Sequence, residues 1–276
     1  LAAAAAHAQS DFSGVEIKVQ KVAGSMYMLQ GAGGNIGVSV GDDGIVLIDD
    51  QFAPLAPKIK AALKGITDKP VRFVLNTHYH DDHTGGNEVF GESAPLVAHD
   101  NVRKRLAEGA ADQPPAARGA LPVVTFRDRV SIHLNGEEIR AVHYPSGHTD
   151  GDSVIWFTKS NVVHMGDDFF SGRFPYVDLE AGGSVRGLIR AVETVLKTIP
   201  PDAKIIPGHG PLSTVEDLKS YLAMLKDTLA IVEAGVREGK SLDELQNAKV
   251  LDKYESWTWN FIPTNTWIAT LYKEAK

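Results

Sequence analysis

The 276-residue sequence contains no cysteine. This absence excludes disulfide bonds, thiolate nucleophiles and thiolate metal ligands together, so any metal ion must be held by imidazole and carboxylate groups. The sequence also lacks an apolar run long enough to cross a bilayer. Its basic residues are scattered along a chain of net charge −7, which is not the continuous basic stripe of a nucleic-acid-binding protein. We therefore expect a small-molecule substrate, no nucleic-acid or membrane partner, and an oligomeric state that the sequence leaves open.

The first ten residues are rich in alanine. Ala6, His7 and Ala8 match the small-x-small pattern that precedes a signal-peptidase cut. We interpret residues 1–10 as the end of an export signal, and so predict a periplasmic or secreted protein. A plain alanine-rich tail is the alternative. Residues 11–276 are predicted to form a single domain.

The first half of the sequence alternates between short strands and helices. The apolar run Ile45–Ile48 ends at Asp49, residues 55–64 have helical spacing, and Val71–Leu75 is again apolar. This order of strand, helix and strand predicts a βαβ-like unit, which delivers the residues that follow it to the carboxyl edge of a sheet.

The second half repeats this pattern of strands followed by helices. The predicted elements are a hairpin over 130–142 that turns at Asn135-Gly136, strands over 153–157, 161–165 and 204–206, and helices over 185–199, 214–237 and 265–275. We therefore predict an α/β protein in which two sheets pack together with helices outside them, a four-layer αββα sandwich.

Four good metal ligands occur within six residues, directly after the strand Val71–Leu75. In order they are His78, His80, Asp82 and His83. Residues two apart in an extended segment project to the same side, so His78 and His80 can face one ion together. Asp82 and His83 follow a further turn and can address a second ion. Such a dense set of ligands after a buried strand is hard to attribute to a solvated loop.

These residues resemble the signature of the metallo-β-lactamase superfamily, and other segments match its motifs in the same order. They are the early strand Val46–Asp49, the single-histidine loop Pro145–Thr149, the strand-end aspartate in Met165–Asp167 and the final-histidine loop Pro207–Gly210. The ordered combination, which spans roughly residues 25 to 215, is more specific than any one motif.

The resemblance implies two metal-binding groups joined by a bridging carboxylate. One group is His78, His80 and His148, the other is Asp82, His83 and His209, and the bridge is Asp167. Imidazole and carboxylate ligands suit Zn²⁺, so two zinc ions are expected, with iron or manganese as alternatives. The resemblance further assigns catalytic roles to Asp49, which would fix an imidazole tautomer, and to Asp82, which would orient the nucleophile.

The implied activity is that of a dinuclear zinc hydrolase, which cleaves an amide or ester bond of a small molecule through a metal-bound hydroxide. β-Lactam hydrolysis is the first expectation, because an export signal and a chain without a large added domain resemble secreted β-lactamases. Lactamases of this family usually carry cysteine or serine at the position of Asp167, so its aspartate favours a thioesterase or lactonase of the glyoxalase II type. Two alternatives lie outside the hydrolases. One is an iron-dependent oxidoreductase on the same fold, and the other is a metal-stabilised binding protein without turnover.

Phe169, Arg173 and Tyr176 closely follow Asp167. We predict that they give the substrate an apolar wall and a cation for a carboxylate, with ordinary loop packing as the alternative. For the later segment with Trp257, Trp259 and Phe261, core packing is preferred over a role as a pocket wall.

Two loops are candidates for movement over the site, Gly31–Ile36 as a flap and Ala110–Pro122 as a lid. The histidines outside the motifs, which are His7, His99, His133, His143 and His164, are expected to lie in the surface or the core, because a single histidine without converging partners is a poor metal site.

Overall fold

A computed structural model describes residues 11–109 and 113–276. The export signal predicted at residues 1–10 lies outside the described residues. Two β-sheets pack against each other, and helices cover the outer face of each. Within the described residues, no helix has both the length and the apolar character needed to span a bilayer.

The N-terminal sheet has seven strands that neighbour one another in chain order. They are β1 (Lys18–Ala23), β2 (Met26–Gln30), β3 (Ile36–Gly41), β4 (Gly44–Ile48), β5 (Val71–Leu75), β6 (Leu96–His99) and β7 (Val124–Phe126). Pairing is antiparallel from β1 to β4 and parallel from β4 to β7. Every residue of β4 is buried, as expected for a strand whose sheet is covered on both faces.

The crossovers of this sheet contain helices. They are α1 (Ala56–Lys64) before β5, the short α2 (Asp81–Thr84) and α3 (Asn87–Gly91) before β6, and α4 (Asp100–Glu108) before β7. The helical spacing of residues 55–64 predicts α1, but the sequence does not predict α2 and α3, whose four and five residues are too short to show a helical period.

The C-terminal sheet has five strands in the order β12-β11-β10-β9-β8. They are β8 (Arg129–Leu134), β9 (Glu137–His143), β10 (Ser153–Phe157), β11 (Val162–His164) and β12 (Lys204–Ile206). The β8–β9 hairpin turns at Asn135 and Gly136, whose φ angles are 56° and 66°, in agreement with the predicted type I′ turn. Only β11 and β12 pair in parallel.

Four helices follow in the C-terminal half, which are α5 (Val185–Thr198), α6 (Val215–Arg237), α7 (Leu242–Asn247) and α8 (Thr264–Ala275). Helix α5 begins where predicted, because the Ser184 side chain accepts a hydrogen bond from the Gly187 backbone N–H. Thr214 and Asp217 form a reciprocal capping box at the start of α6. Helix α7 has no counterpart in the prediction.

The hydrophobic core confirms the predicted order of layers. A central cluster joins the facing sides of the two sheets, with Met28, Ile48 and Leu75 from the first sheet against residues such as Ile139 and Ile155 from the second. A second cluster packs α1 under the N-terminal sheet, and the largest packs α5, α6 and α8 on the C-terminal sheet. The fold is therefore the four-layer αββα sandwich.

Trp267 on α8 offers a test of this packing. Its side chain is fully buried, and its indole N–H donates to the Thr228 hydroxyl on α6 at 3.1 Å. We expect Trp267→Ala to lower the free energy of unfolding by about 3–5 kcal/mol, because it leaves a large cavity and removes the hydrogen bond that the Thr228 hydroxyl accepts. Urea denaturation followed by circular dichroism measures the change. Phe261→Ala is the control, because 61% of Phe261 is exposed. Equal losses in the two variants would contradict this placement of α8.

Candidate metal centre

The predicted ligands all lie at the ends of strands, on one rim of the two sheets. His78 and His80 follow β5, and Asp82 and His83 lie on α2 just beyond them. Parallel strands bring their carboxyl ends to the same edge, and β11 and β12 accordingly place Asp167 and His209 side by side. His148 comes from the loop between β9 and β10.

The structure brings all seven of these side chains together. They form three overlapping groups, each with its ligand atoms within 4.8 Å of one another, namely His78, His80 and His148; His78, His83 and Asp167; and Asp82, His83 and His209. Asp167 lies between the outer groups, since its carboxylate oxygens are 3.0 Å from His83 Nε2 in one group and 3.6 Å from His148 Nε2 in the other. This is the position that the sequence predicts for a bridging ligand.

The side chain of Asp49 fixes the orientation of two of these imidazoles. One carboxylate oxygen lies 2.7 Å from His83 Nδ1 and 2.8 Å from the Thr77 hydroxyl, which donates to it. That hydroxyl in turn lies 3.0 Å from His78 Nδ1. Because Nδ1 of both rings is occupied as a donor, Nε2 is the atom of both rings that faces the cluster and can bind a metal ion.

A second aspartate, Asp178, supports His80 from the opposite side. It accepts hydrogen bonds from His80 Nε2 at 3.1 Å and from the Tyr79 hydroxyl at 2.7 Å. Burial opposes ionisation of Asp178, but these two hydrogen bonds outweigh it and lower the pKa of the carboxyl below its usual range. Asp178 therefore stays charged, and it leaves Nδ1 of His80 free to face the cluster.

The facing nitrogen atoms of His80 and His148 show that this set of donors suits a cation. His148 donates through Nδ1 to the Tyr176 carbonyl, and burial lowers the pKa of His148 to about 4. Its Nε2 lies 2.8 Å from Nδ1 of His80, so the two nitrogens converge on one place. His78 Nε2 is buried without a hydrogen-bond partner among the described residues. A buried acceptor without a donor costs free energy unless a positive charge lies beside it.

The other group carries protons that a metal ion would replace. Burial disfavours a charge on His209, but Asp167 and Asp82 outweigh that effect and raise its pKa to about 9. The pKa of Asp82 falls to about 2, because His83 and His209 overcome the effect of its burial. The site is therefore polarised, with carboxylates and imidazolium groups in contact.

Two more buried carboxyl groups, those of Asp168 and Asp152, form hydrogen bonds to the loop that carries His148. Asp168 accepts the His148 backbone N–H at 3.3 Å, and Asp152 accepts the hydroxyl of Thr149 at 2.5 Å. Burial raises the pKa of Asp168 to about 7, and burial also raises the pKa of Asp152 well above its usual range. On the other side, a Cβ atom on Gly187 would lie 1.6 Å from the Ser146 carbonyl oxygen, so only glycine lets α5 approach this loop.

The segment Gly31–Ile36, for which we predict a flap, is a strap bonded at its Asn35 end to the loop that carries His209. The Asn35 amide donates to the carbonyls of Pro207 and Gly210, both at 2.9 Å, and these residues flank His209. The Asn35 carbonyl in turn lies 2.9 Å from His164 Nε2. Glycine is required at position 34, because a Cβ atom there would lie 2.1 Å from the His83 ring. Such extensive pairing of buried polar groups opposes opening.

The three residues predicted to contact substrate have different surroundings. The Tyr176 ring lies 5.8 Å from His80 and 5.7 Å from His148. The Arg173 guanidinium lies over the Trp259 ring at 5.1 Å. Phe169 is fully buried in the hydrophobic core, 5.1 Å from Tyr221, and this placement gives no support to a substrate contact. Its neighbour Phe170 instead stacks on His209, with ring centroids 5.0 Å apart.

The histidines outside the motifs lie apart from these groups within the described residues, as predicted. His99 and His143 stack on each other with ring centroids 3.7 Å apart, His164 is buried and His133 is exposed. His7 lies outside the described residues.

The predicted lid, Ala110–Pro122, is described only from residue 113 onward. There, Gln113 donates to the Tyr79 carbonyl at 3.3 Å, and Ala116 bonds to the end of α4. The described part of this loop therefore contacts Tyr79, the residue before His80.

Comparison with known proteins identifies the family. Residues 29–209 match the model of the metallo-beta-lactamase superfamily, and the chain belongs to this superfamily. Metal-dependent hydrolases are typical of this superfamily, and the clusters described above are groups that can bind a metal ion.

Several curated proteins are similar to parts of the chain. The 2,4-dinitroanisole O-demethylase subunit alpha of Nocardioides is 28% identical over 136 residues, which are 48% of this chain and 40% of that protein. The hydroxyacylglutathione hydrolase of Rhodospirillum rubrum is 30% identical over 50% of this chain and 48% of its own. The type 2 metallo-beta-lactamase of Elizabethkingia meningoseptica is 26% identical over 70% of this chain and 79% of its own. The chain thus spans less than half of the first two proteins.

Solved structures show the same fold. A metallo-beta-lactamase from Pontibacter korlensis superposes with a TM-score of 0.65 and 19% identity, over 76% of this chain and 99% of that one.

The contact between Asp178 and His80 yields a testable prediction. We expect Asp178→Asn to weaken zinc binding by about 10- to 100-fold, because the His80 ring loses its charged acceptor. Competition with a chromogenic chelator measures the affinity. Asp227→Asn is the matched control, because Asp227 also accepts a tyrosine hydroxyl, from Tyr254 at 2.8 Å, but lies outside the centre. Unchanged affinity in Asp178→Asn would show that His80 does not need this support.

The hydrogen bonds of the Asn35 amide yield a second testable prediction. We expect Asn35→Ala to lower the free energy of unfolding by about 1–3 kcal/mol, because the Pro207 carbonyl loses its side-chain donor and the Gly210 carbonyl keeps only the longer bond from Gln30 at 3.3 Å. Urea denaturation measures the loss, and hydrogen exchange should accelerate at residues 207–210. Asn161→Ala removes an exposed amide bonded to Asp202 and should have little effect. Unchanged exchange in Asn35→Ala would contradict the role of the strap.

Proposed function

We propose that the protein is a dinuclear zinc hydrolase that cleaves an amide or ester bond of a small molecule, with the β-lactam amide as its best candidate substrate. The observation that carries the proposal is the convergence of two three-residue groups on one aspartate. In this proposal His78, His80 and His148 hold one ion, Asp82, His83 and His209 hold the second, and Asp167 bridges them.

The exposure of the ligands favours a catalytic centre over a closed structural one. His78, His83 and His148 are at most 1% exposed, whereas 26% of Asp82 and 14% of His209 are exposed. One side of the centre therefore faces solvent. Structural zinc sites are closed by four protein ligands, and catalytic sites keep a position for water or substrate. This difference argues against the metal-stabilised binding protein.

Zinc ions bound here would lower the pKa of a coordinated water to near 7 and polarise a substrate carbonyl. The chain supplies the other functions. The partly exposed carboxylate of Asp82 orients the attacking water and accepts a hydrogen bond from it. Asp49, Thr77 and Asp178 hold the imidazoles in one tautomer, so the ligand atoms need no rearrangement during the reaction.

Arg173 and Tyr176 are the residues that we propose for substrate binding. Within residues 11–109 and 113–276, no carboxylate forms an ion pair with Arg173, so its charge is available to a substrate anion. Tyr176 lies beside His80 and His148. A cation and a ring next to a hydrolytic centre suit a small acid whose cleaved bond lies a few ångströms from its carboxylate, as in a β-lactam.

Relatives support two classes of carbonyl substrate. The similarity to the type 2 metallo-beta-lactamase extends over 79% of that protein, which favours the cyclic amide. The second candidate is a thioester or lactone, favoured by the aspartate at position 167 and by the similarity to a hydroxyacylglutathione hydrolase. Export to the periplasm or the medium stays a prediction from residues 1–10.

The test is hydrolysis of a chromogenic cephalosporin, a lactone and a thioester by protein purified without added metal. We expect turnover of at least one substrate, loss of turnover with a chelator, and recovery with Zn²⁺. His80→Ala should reduce turnover by more than about 100-fold, because a metal ligand is lost. His133→Ala is the control, because His133 is exposed on β8.

Metal analysis of the same preparation separates the hydrolase from the oxidoreductase. We expect close to two zinc ions per chain. Iron as the bound metal, together with oxygen consumption and no hydrolysis, would overturn the proposal. Full chelator-sensitive activity in His80→Ala would overturn the assignment of the first metal site.

A further inference from the structure

A continuous arc of aromatic side chains borders the metal centre. From the side of His209, the Trp259 ring lies 6.1 Å from the imidazole, and Phe261 lies 5.5 Å from Trp259. Tyr176 lies 5.6 Å from Phe261 and reaches His80 at 5.8 Å. The arc thus connects one group of metal ligands with the other along the edge of the centre.

The backbone and one side-chain hydrogen bond hold this arc in place. The indole N–H of Trp259 donates to the Phe174 carbonyl at 2.9 Å, and the backbone N–H of Phe174 donates to the Trp257 carbonyl at 2.8 Å. The guanidinium of Arg173 covers part of the Trp259 ring at 5.1 Å. These contacts orient Trp259 before any ligand binds, which lowers the entropic cost of binding.

Phe261 leaves a large apolar surface at the middle of the arc. It is 61% exposed, whereas most large apolar side chains of the described residues are buried. The rings of the arc are inclined to one another, by 58° between Trp259 and Phe261 and by 68° between Phe261 and Tyr176. Inclined and edge-to-face contacts are the arrangements that a further aromatic ring would prefer.

Trp259 and Phe261 lie outside residues 29–209, the part of the chain that matches the family model. These two rings of the arc therefore come from the segment between α7 and α8, beyond that match, whereas Tyr176 and the proposed metal ligands lie within it.

We propose that Trp259 and Phe261 form a subsite that selects substrates carrying an aromatic ring next to the cleaved carbonyl. The inference rests on the proposed hydrolase function, because the subsite is defined by its distance from the ligands. A ring packed against the exposed surface of Phe261 and beside Trp259 buries apolar surface while the carbonyl lies over the metal centre. Arg173, at the edge of the arc, suits an anionic group on the same substrate.

The test compares two zinc-binding probes that share one head group, benzohydroxamate and acetohydroxamate. Calorimetric titration of the zinc-loaded protein should give about 10- to 100-fold tighter binding of the phenyl compound, the range expected for burial of one aromatic ring. Trp259→Ala should reduce this ratio to about threefold or less, and Trp259→Phe should retain most of it. The affinity for acetohydroxamate should stay the same in all variants.

Two further variants distinguish loss of the subsite from a folding defect. Phe261→Ala changes an exposed side chain and should also reduce the ratio, by about 3- to 10-fold. Trp257→Phe, two positions from Trp259 and packed towards Tyr221, should leave it unchanged.

Equal affinity of the wild-type protein for the two probes would overturn the subsite, and so would a ratio unchanged in both Trp259→Ala and Phe261→Ala. Failure of either probe to bind with zinc present would overturn the subsite and the metal centre together. Phenyl selectivity without hydrolysis of any substrate in the panel would support the subsite and count against the hydrolase.

Discussion

The metal centre depends on the hydrogen bonds that the buried carboxylate of Asp49 accepts. Its backbone has a left-handed φ of 64° at the end of β4, a conformation that aspartate tolerates better than most residues. In this geometry it bonds directly to His83 and, through Thr77, reaches His78. One side chain thus sets the tautomer and direction of an imidazole in each proposed metal group.

Other groups around the centre orient the remaining histidines in a similar way. Asp178 orients His80, the Tyr176 carbonyl orients His148, and the Asn35 amide ties down the turn around His209. Four of the five histidines therefore have a partner on the ring nitrogen that does not face the cluster. Such support holds the ligand atoms close together, an arrangement that a flexible site would relax. Because the rim is rigid, the ligands need not rearrange when a substrate binds.

The sequence predicts the two-sheet sandwich and most long elements because each has a local signal. The capped start of α5 at Ser184 and the Asn135-Gly136 turn depend on a few neighbouring residues. The strap at residues 31–36 was predicted as a flap, because glycine content indicates backbone freedom but does not show which partners the backbone finds. Asp178 carries no local motif, since its contact with His80 joins residues 98 positions apart.

By itself, the sequence determines which residues can be ligands, because the absence of cysteine and the spacing from His78 to His83 leave only imidazole and carboxylate groups. It also places them at strand ends, where a buried apolar run stops. Only the tertiary structure decides which groups stand behind the ligands and which rings border them. Trp259 and Phe261 alternate in the sequence as core residues often do, yet they lie beside the metal centre. The physical reason is that side-chain direction depends on how distant segments pack, and local spacing does not specify that packing.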